Sequence, residues 1–110
     1  MYTTVEESKA LLELGLNPMT ADMFYTSLDG FREPWVWVSK PGMHPSDIPC
    51  WSTGALMKIC EKCDSVELYY GKKGYTIKAV LDRTTYHGYA GYKTSKEAYI
   101  DVIKNLKING

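Results

Sequence analysis

Four side chains able to bind a metal or act as nucleophiles fall within twenty residues: His44, Cys50, Cys60 and Cys63, spaced H-x5-C-x9-C-x2-C. Thiolate and imidazole are ligands that zinc prefers, and Cys3His sites hold it tetrahedrally, usually through two close pairs. Here only Cys60 and Cys63 are close. The competing reading makes Cys60 a core residue and Cys63 its incidental neighbour, because free cysteine is commonly buried. The same pair has redox spacing, but a redox pair sits at a helix N-terminus, where the dipole stabilises the thiolate. This pair falls at the C-terminal end of an expected helix, beside Glu61 and Asp64, and both features work against a thiolate. Cys50 lies just before an expected helix cap with His44 near in sequence, a minimal Cys–His nucleophile. No third, orienting group accompanies it, and a small buried thiol beside an anchoring Trp51 is the plainer account.

Other catalytic patterns are thinner. The 13 acidic residues are scattered rather than paired, and His87 falls on a candidate edge strand. Gly71-Lys72-Lys73-Gly74 lacks the phosphate-loop pattern and joins two strands, and Gly88-Tyr89-Ala90-Gly91 is no dinucleotide fingerprint. A broader constellation is a surface: Tyr69, Tyr75, Tyr86, Tyr89 and Tyr92 interleave with Lys72, Lys73, Lys78, Arg83 and Lys93. Aromatic rings among cations can stack bases and track phosphates, or form a protein interface. The bland alternative is a small domain that half-buries tyrosines and solvates lysines. Alternation puts Tyr75 with Ile77, Ala79 and Leu81, toward the core.

The elements that carry these groups follow from periodicity and punctuation. Thr4 and Glu7 have capping-box spacing, and Val5, Ser8, Leu11 and Leu12 form one stripe of a helix over about 5–14. Gly15 and Leu16 supply its left-handed stop. Met23 to Thr26 reads as a strand, Asp29-Gly30 as a turn, and Trp35-Val36-Trp37-Val38 as a strand with both tryptophans on one face. The two strands suit a hairpin. Three prolines in residues 41–49 predict a loop. Ser52 or Thr53 caps a second helix, from Gly54 to about Cys63, with Ala55, Leu56, Ile59 and Cys60 as its apolar stripe. Val66, Leu68 and Tyr70 alternate, Gly71 to Gly74 turns, and Tyr75 to Leu81 alternates again, which is a hairpin. Thr85 to Tyr89 is a third strand whose glycines suggest a bulge or an edge. Thr94 and Glu97 repeat the capping box before a helix over about 95–107, with Lys96, Asp101, Lys104 and Lys107 toward water.

The order α-β-β-α-β-β-(β)-α predicts a single α+β domain over 1–110, a two-layer sandwich with a mostly antiparallel sheet. At 110 residues the chain can bury a core without disulfide staples. Its three cysteines form no secreted framework. No run is long and apolar enough for a membrane span, and Met1 to Glu7 lacks signal-peptide character. These features point to the cytoplasm and away from membrane partners. Net charge is zero, but residues 1–55 carry 3 basic and 7 acidic side chains and residues 56–110 carry 10 and 6. Such a chain can associate with itself or offer its basic half to an acidic partner.

Leu11-Leu12-Glu13-Leu14-Gly15-Leu16 with Thr20-Ala21-Asp22-Met23, and Pro49-Cys50-Trp51-Ser52-Thr53-Gly54-Ala55-Leu56, resemble small uncharacterised proteins of Bacteroides-type gut bacteria, often encoded in phage-like or mobile regions. The resemblance runs through most of the chain. It implies a bacterial cytoplasmic or phage origin and carries no activity. The expectations are therefore ordered. First comes a non-enzymatic interaction module, with a protein partner or a second copy as in a homodimer. A nucleic-acid accessory protein using the Tyr-rich basic half is next, and a small structural zinc domain third.

Overall fold

The computed structural model describes residues 1–38 and 44–110, with residues 89 and 90 in their backbone only. Its elements are α1 (Val5–Glu13), β1 (Met23–Tyr25), β2 (Trp35–Val36), β3 (Ile48–Cys50), α2 (Thr53–Cys60), β4 (Ser65–Gly71), β5 (Gly74–Leu81), β6 (Thr84–Tyr92) and α3 (Ser95–Asn105). The α+β class is as expected. The strands form two antiparallel sheets rather than one, ordered β2-β1-β3 and β4-β5-β6. Among the described residues no helix is long and apolar enough to cross a membrane.

Local chemistry explains the helix ends. In α1 the Thr4 hydroxyl accepts from Glu7 N–H at 3.1 Å and the Glu7 carboxylate accepts from Thr4 N–H at 2.8 Å. Gly15, with φ of +91°, lets Leu16 and Gly15 donate back to the Leu11 and Leu12 carbonyls, the double bond of a Schellman stop. Ser52 caps α2 by accepting from Ala55 N–H. That helix ends at Cys60, short of the expected Cys63, which sits in the following turn. The second capping box is only half formed. Thr94 accepts from Glu97 N–H, but the Glu97 carboxylate takes Lys93 N–H instead of its cap's own.

Residues 41–49 are not wholly a loop, because Ile48–Cys50 pairs with β1 in the register Met23↔Cys50, Phe24↔Pro49 and Tyr25↔Ile48. Pro49 is tolerated since β3 is an edge strand, where a missing N–H need not break a ladder. The earlier part of that span, residues 41–43, lies outside the described residues. The β1–β2 hairpin forms as expected, but regular pairing stops at Val36. The two tryptophans therefore part company: Trp35 is 57 % exposed and Trp37 only 9 %. The third strand of the large sheet runs longer than expected, to Tyr92. It has both expected features, an edge position and a register shift between Tyr75 and Ile77. Gly88 is required there, since a Cβ would stand 2.6 Å from the Tyr92 hydroxyl.

The core lies between α2, α3 and the inner face of β4-β5-β6. Leu56, Cys60, Ile77, Ala79, Val102 and Ile103 are buried in it, and α1 joins through Leu11. Helix α3 stops at Asn105, two residues early, and one of its expected solvent-facing residues is not in solvent. Lys96 is 9 % exposed, and its ammonium meets the Glu7 carboxylate of α1 at 2.8 Å. Burial pushes the Glu7 carboxyl up, but Lys96 and the Thr4 amide and hydroxyl outweigh it, leaving a net downward shift.

A second polar link is fully buried. Thr3 Oγ1 shares a 2.7 Å hydrogen bond with the Ser8 hydroxyl and accepts from Trp51 N–H at 3.0 Å. Thr3→Val strands both groups. We expect it to destabilise the chain by about 3 kcal/mol in urea unfolding, with Thr3→Ser costing far less. The Glu7 shift sets a pH dependence. A lowered folded pKa adds stability above the ordinary value of 4.5 that is lost as pH falls through the folded pKa. Wild type should therefore lose its advantage over Glu7→Gln, about 1–2 kcal/mol at neutral pH, as unfolding is followed from pH 7 down to the acid limb.

Candidate functional site

The four candidate zinc ligands are not brought together. The Cys50 thiol donates to the Thr3 carbonyl at 3.4 Å, beneath Tyr25. The Cys60 thiol lies against the Tyr99 carbonyl at 3.9 Å, inside the helical layer. Cys63 is near Cys60. His44 is exposed, with Nδ1 2.7 Å from the Ser46 hydroxyl. Among the described residues no three His, Cys, Asp or Glu side chains form a group able to hold a metal. Burial raises all three thiol pKa values. For Cys60 it does so to about 12, with Cys63 adding to it, and for Cys63 the Asp64 charge adds to it. At Cys50 the hydrogen bonds from Thr3 and Tyr25 pull the other way without prevailing. Neither a redox pair nor a Cys–His nucleophile has the lowered thiol it needs.

The tyrosine and lysine set is divided by the sheet. Tyr86 and Tyr92 point inward, their hydroxyls 3.1 Å apart, and Tyr92 is buried. Burial, then Asp101 and Tyr86, raise the Tyr92 phenol. Tyr75 also packs inward, as alternation predicts. Tyr69 and Lys78 stand on the outer face, where Glu67, Lys78 and His87 form one cross-strand row. Glu67 raises the Tyr69 phenol through a hydrogen bond and its charge. Lys72 and Lys73 occupy the β4–β5 turn, and Arg83 the β5–β6 turn at the other end of β5. An eight-residue strand separates the turns, roughly 25 Å at strand rise. Lys93 follows β6 near the first turn. The side chain of Tyr89 lies outside the described residues. These cations thus share no single face.

The most developed apolar concavity lies in the other half, on the small sheet. Phe24, Leu28 and Trp35 wall a cleft of about 520 Å³. Pairing of Phe24 with Trp35 puts both rings on one face of the β1–β2 hairpin. The short turn Ser27–Asp29, capped by the Thr26 hydroxyl, raises Leu28 beside them at 95 % exposure. Asp29 accepts from the Trp35 indole N–H at 3.2 Å, which fixes the ring plane. On the far wall Asp47 accepts from His44 N–H at 3.1 Å. Its other oxygen, Oδ1, is buried without a hydrogen-bond partner. Among the described residues, the charged side chains in the lining are these two aspartates. Val36 and Val38, at 68 % and 89 % exposure, are also in water, Val36 on the opposite face of the hairpin from Trp35.

The sequence carried a sign of this site. Trp35-Val36-Trp37-Val38 has no polar alternation, so a two-residue edge strand must leave some of it in water. A second concavity, of about 580 Å³ and lined by Asp22, Ser52, Lys58 and Lys62, is tied up in structure. Asp22 holds the Ser52 amide and hydroxyl at 2.9 and 2.5 Å, and Ser52 in turn caps α2.

With buried, raised thiols, none of the three cysteines should react at an appreciable rate with a disulfide reagent in the folded chain near pH 7.5. All three should react promptly in denaturant, as followed by mass spectrometry. Rapid labelling of Cys50 in the native chain would contradict its place beneath Tyr25. Comparison with protein-family models, curated proteins and solved structures finds no match for this chain.

Proposed function

We propose that this chain is a non-enzymatic interaction module whose binding site is the Trp35 cleft. The observation that carries the reading is a row of apolar side chains, exposed Leu28 and Trp35 beside half-buried Phe24, set by local hydrogen bonds and edged, among the described residues, by two carboxylates. Large exposed apolar side chains cost solubility and commonly mark contact surfaces. Trp is also among the residues that dominate interface energies. The acidic edge selects the partner: a protein segment that offers a large apolar side chain flanked by Lys or Arg. Asp29 and Asp47 would meet the flanking cations, and the apolar side chain would lie on Trp35 and Phe24.

The probe is a pool of heptapeptides with Leu, Phe or Trp at the centre of a lysine-rich frame, titrated into the ¹⁵N-labelled chain. The same frame with a central Ser is the control. We expect shifts at Leu28, Asp29 and the Trp35 indole N–H with the apolar pool, and little with the control. Trp35→Ala and Leu28→Ser, both at exposed positions, should each weaken binding about tenfold or more while leaving the amide spectrum folded. Equal shifts from both pools, shifts centred elsewhere, or none would overturn the reading.

A further inference from the structure

The large sheet ends in an open edge. Strand β4 pairs with β5 on one side and, among the described residues, has no neighbouring strand on the other, so its outward N–H and C=O groups offer a template for another strand. Along this edge, on the helix side, runs a groove of about 360 Å³. Cys60, Val66, Leu68 and Tyr99 floor it, and Met57, Glu61 and Asp64 stand at its rim. At the far end of the same strand Tyr70 projects, 76 % exposed, with the Tyr75 ring beside it at 4.7 Å. Just beyond it come Lys72 and Lys73. One edge thus carries a groove with acid at its rim and, six residues on from Asp64, an aromatic knob followed by base.

We propose that two copies of this chain pair β4 to β4 in antiparallel sense, with Leu68 on the two-fold axis. In that register Val66 faces Tyr70 of the second copy, Glu67 faces Tyr69, Ser65 faces Gly71, and Asp64 faces Lys72. Opposed residues of an antiparallel pair point to the same side, with Cβ atoms about 5 Å apart. Val66 and Tyr70 are both on the helix side, so each Tyr70 enters the groove of the other copy. The Glu67 carboxylate and the Tyr69 phenol meet on the outer face. Two Asp64–Lys72 pairs close the ends. The neighbouring registers are poorer. An axis at Glu67 sets two carboxylates against each other, and an axis at Tyr69 places Lys72 on Val66. The pairing is isologous, so it closes as a dimer and leaves no further β4 edge for growth. It gives the opposite charges of the chain's two ends of β4 a use. It also leaves the Trp35 cleft free, because that cleft is on the other sheet.

Sedimentation velocity from about 10 μM to about 1 mM tests it on the full chain. A concentration-dependent monomer–dimer equilibrium is expected. Tyr70→Ala and Lys72→Glu, both at exposed positions, should each raise the dimer Kd about tenfold or more. Arg83→Glu, at the opposite end of the sheet, should leave it unchanged. In a mixed sample of labelled and unlabelled chains, isotope-filtered spectra should connect the Val66 methyls of one copy to the Tyr70 ring of the other. A monomer throughout the range would overturn the proposal. So would a dimer indifferent to both substitutions, or one whose intermolecular contacts lie at Trp35.

Discussion

Thr3 is the residue through which the small sheet, the first helix and the second helix are joined. Its N–H donates to the Trp51 carbonyl at 2.8 Å, and its hydroxyl takes the Trp51 amide and the Ser8 hydroxyl. Its carbonyl receives the Tyr25 hydroxyl at 2.7 Å and the Cys50 thiol at 3.4 Å. Every one of these groups is withdrawn from water, where an unmade hydrogen bond costs more than a made one contributes. The set therefore specifies one arrangement of α1, β1 and the β3–α2 junction and penalises the others. Trp51 has no exposure and anchors the same point, its indole N–H reaching the Thr20 hydroxyl at 2.9 Å.

That junction explains why the chain divides its strands between two sheets. The N-terminal segment lies along the far side of the β3–α2 junction, with Tyr2 bridging to Ser52, so the small sheet has no room to grow on that flank. The large hairpin instead builds its own sheet under α3. The Glu7–Lys96 pair then ties α1 to α3 across the gap, with the Lys96 stem buried and its head paired. A buried lysine without that carboxylate would lose its charge or its place. The small sheet gains position from this scaffold but little cover for its outer face. Leu28 and Trp35 remain at the surface for that reason, with Phe24 half-buried beside them.

Much of this was legible in the sequence where a local rule was sufficient. The Thr4–Glu7 box, the Gly15–Leu16 stop, the Ser52 cap and the alternation through Val66 to Leu81 each depend on neighbours in the chain, and each formed as read. What was not legible depended on distant partners. Pro49 marks a loop in isolation, yet Phe24 stands opposite it in a strand pair. Lys96 sits at a water-facing position of an isolated α3, yet Glu7 draws it inward. Asp82 and Arg83 both adopt positive φ, at +49° and +67°, in a turn that would favour Asn-Gly. Asp64 offsets part of that strain by accepting from Asp82 N–H at 3.1 Å. The lysine and tyrosine set looked like a surface because it was gathered by composition, although the hairpin reading already put Lys72 and Lys73 at one end of the Tyr75–Leu81 strand and Arg83 at the other.

The residues whose types first suggested chemistry are the ones the fold uses as packing. Cys50 and Cys60 fill space that a polar side chain could not occupy without a partner, and burial makes each thiol harder to ionise. A reactive cysteine requires the reverse: access, and a positive field that stabilises the thiolate. Cys60 and Cys63 lie at the end of α2, where the helix dipole is negative and Asp64 adds to it, so the local field opposes that chemistry. The side chains left without full cover are of another kind. Leu28, Trp35, Val36 and Tyr70 are large, apolar or aromatic, and held at the surface by turns and edge strands. In a domain of this size, with a limited core to offset the entropy of ordering the chain, leaving such groups in water forgoes burial that folding could have used. That loss is recovered when a partner covers them, which is why the physical argument for function moves from the thiols to these two surfaces.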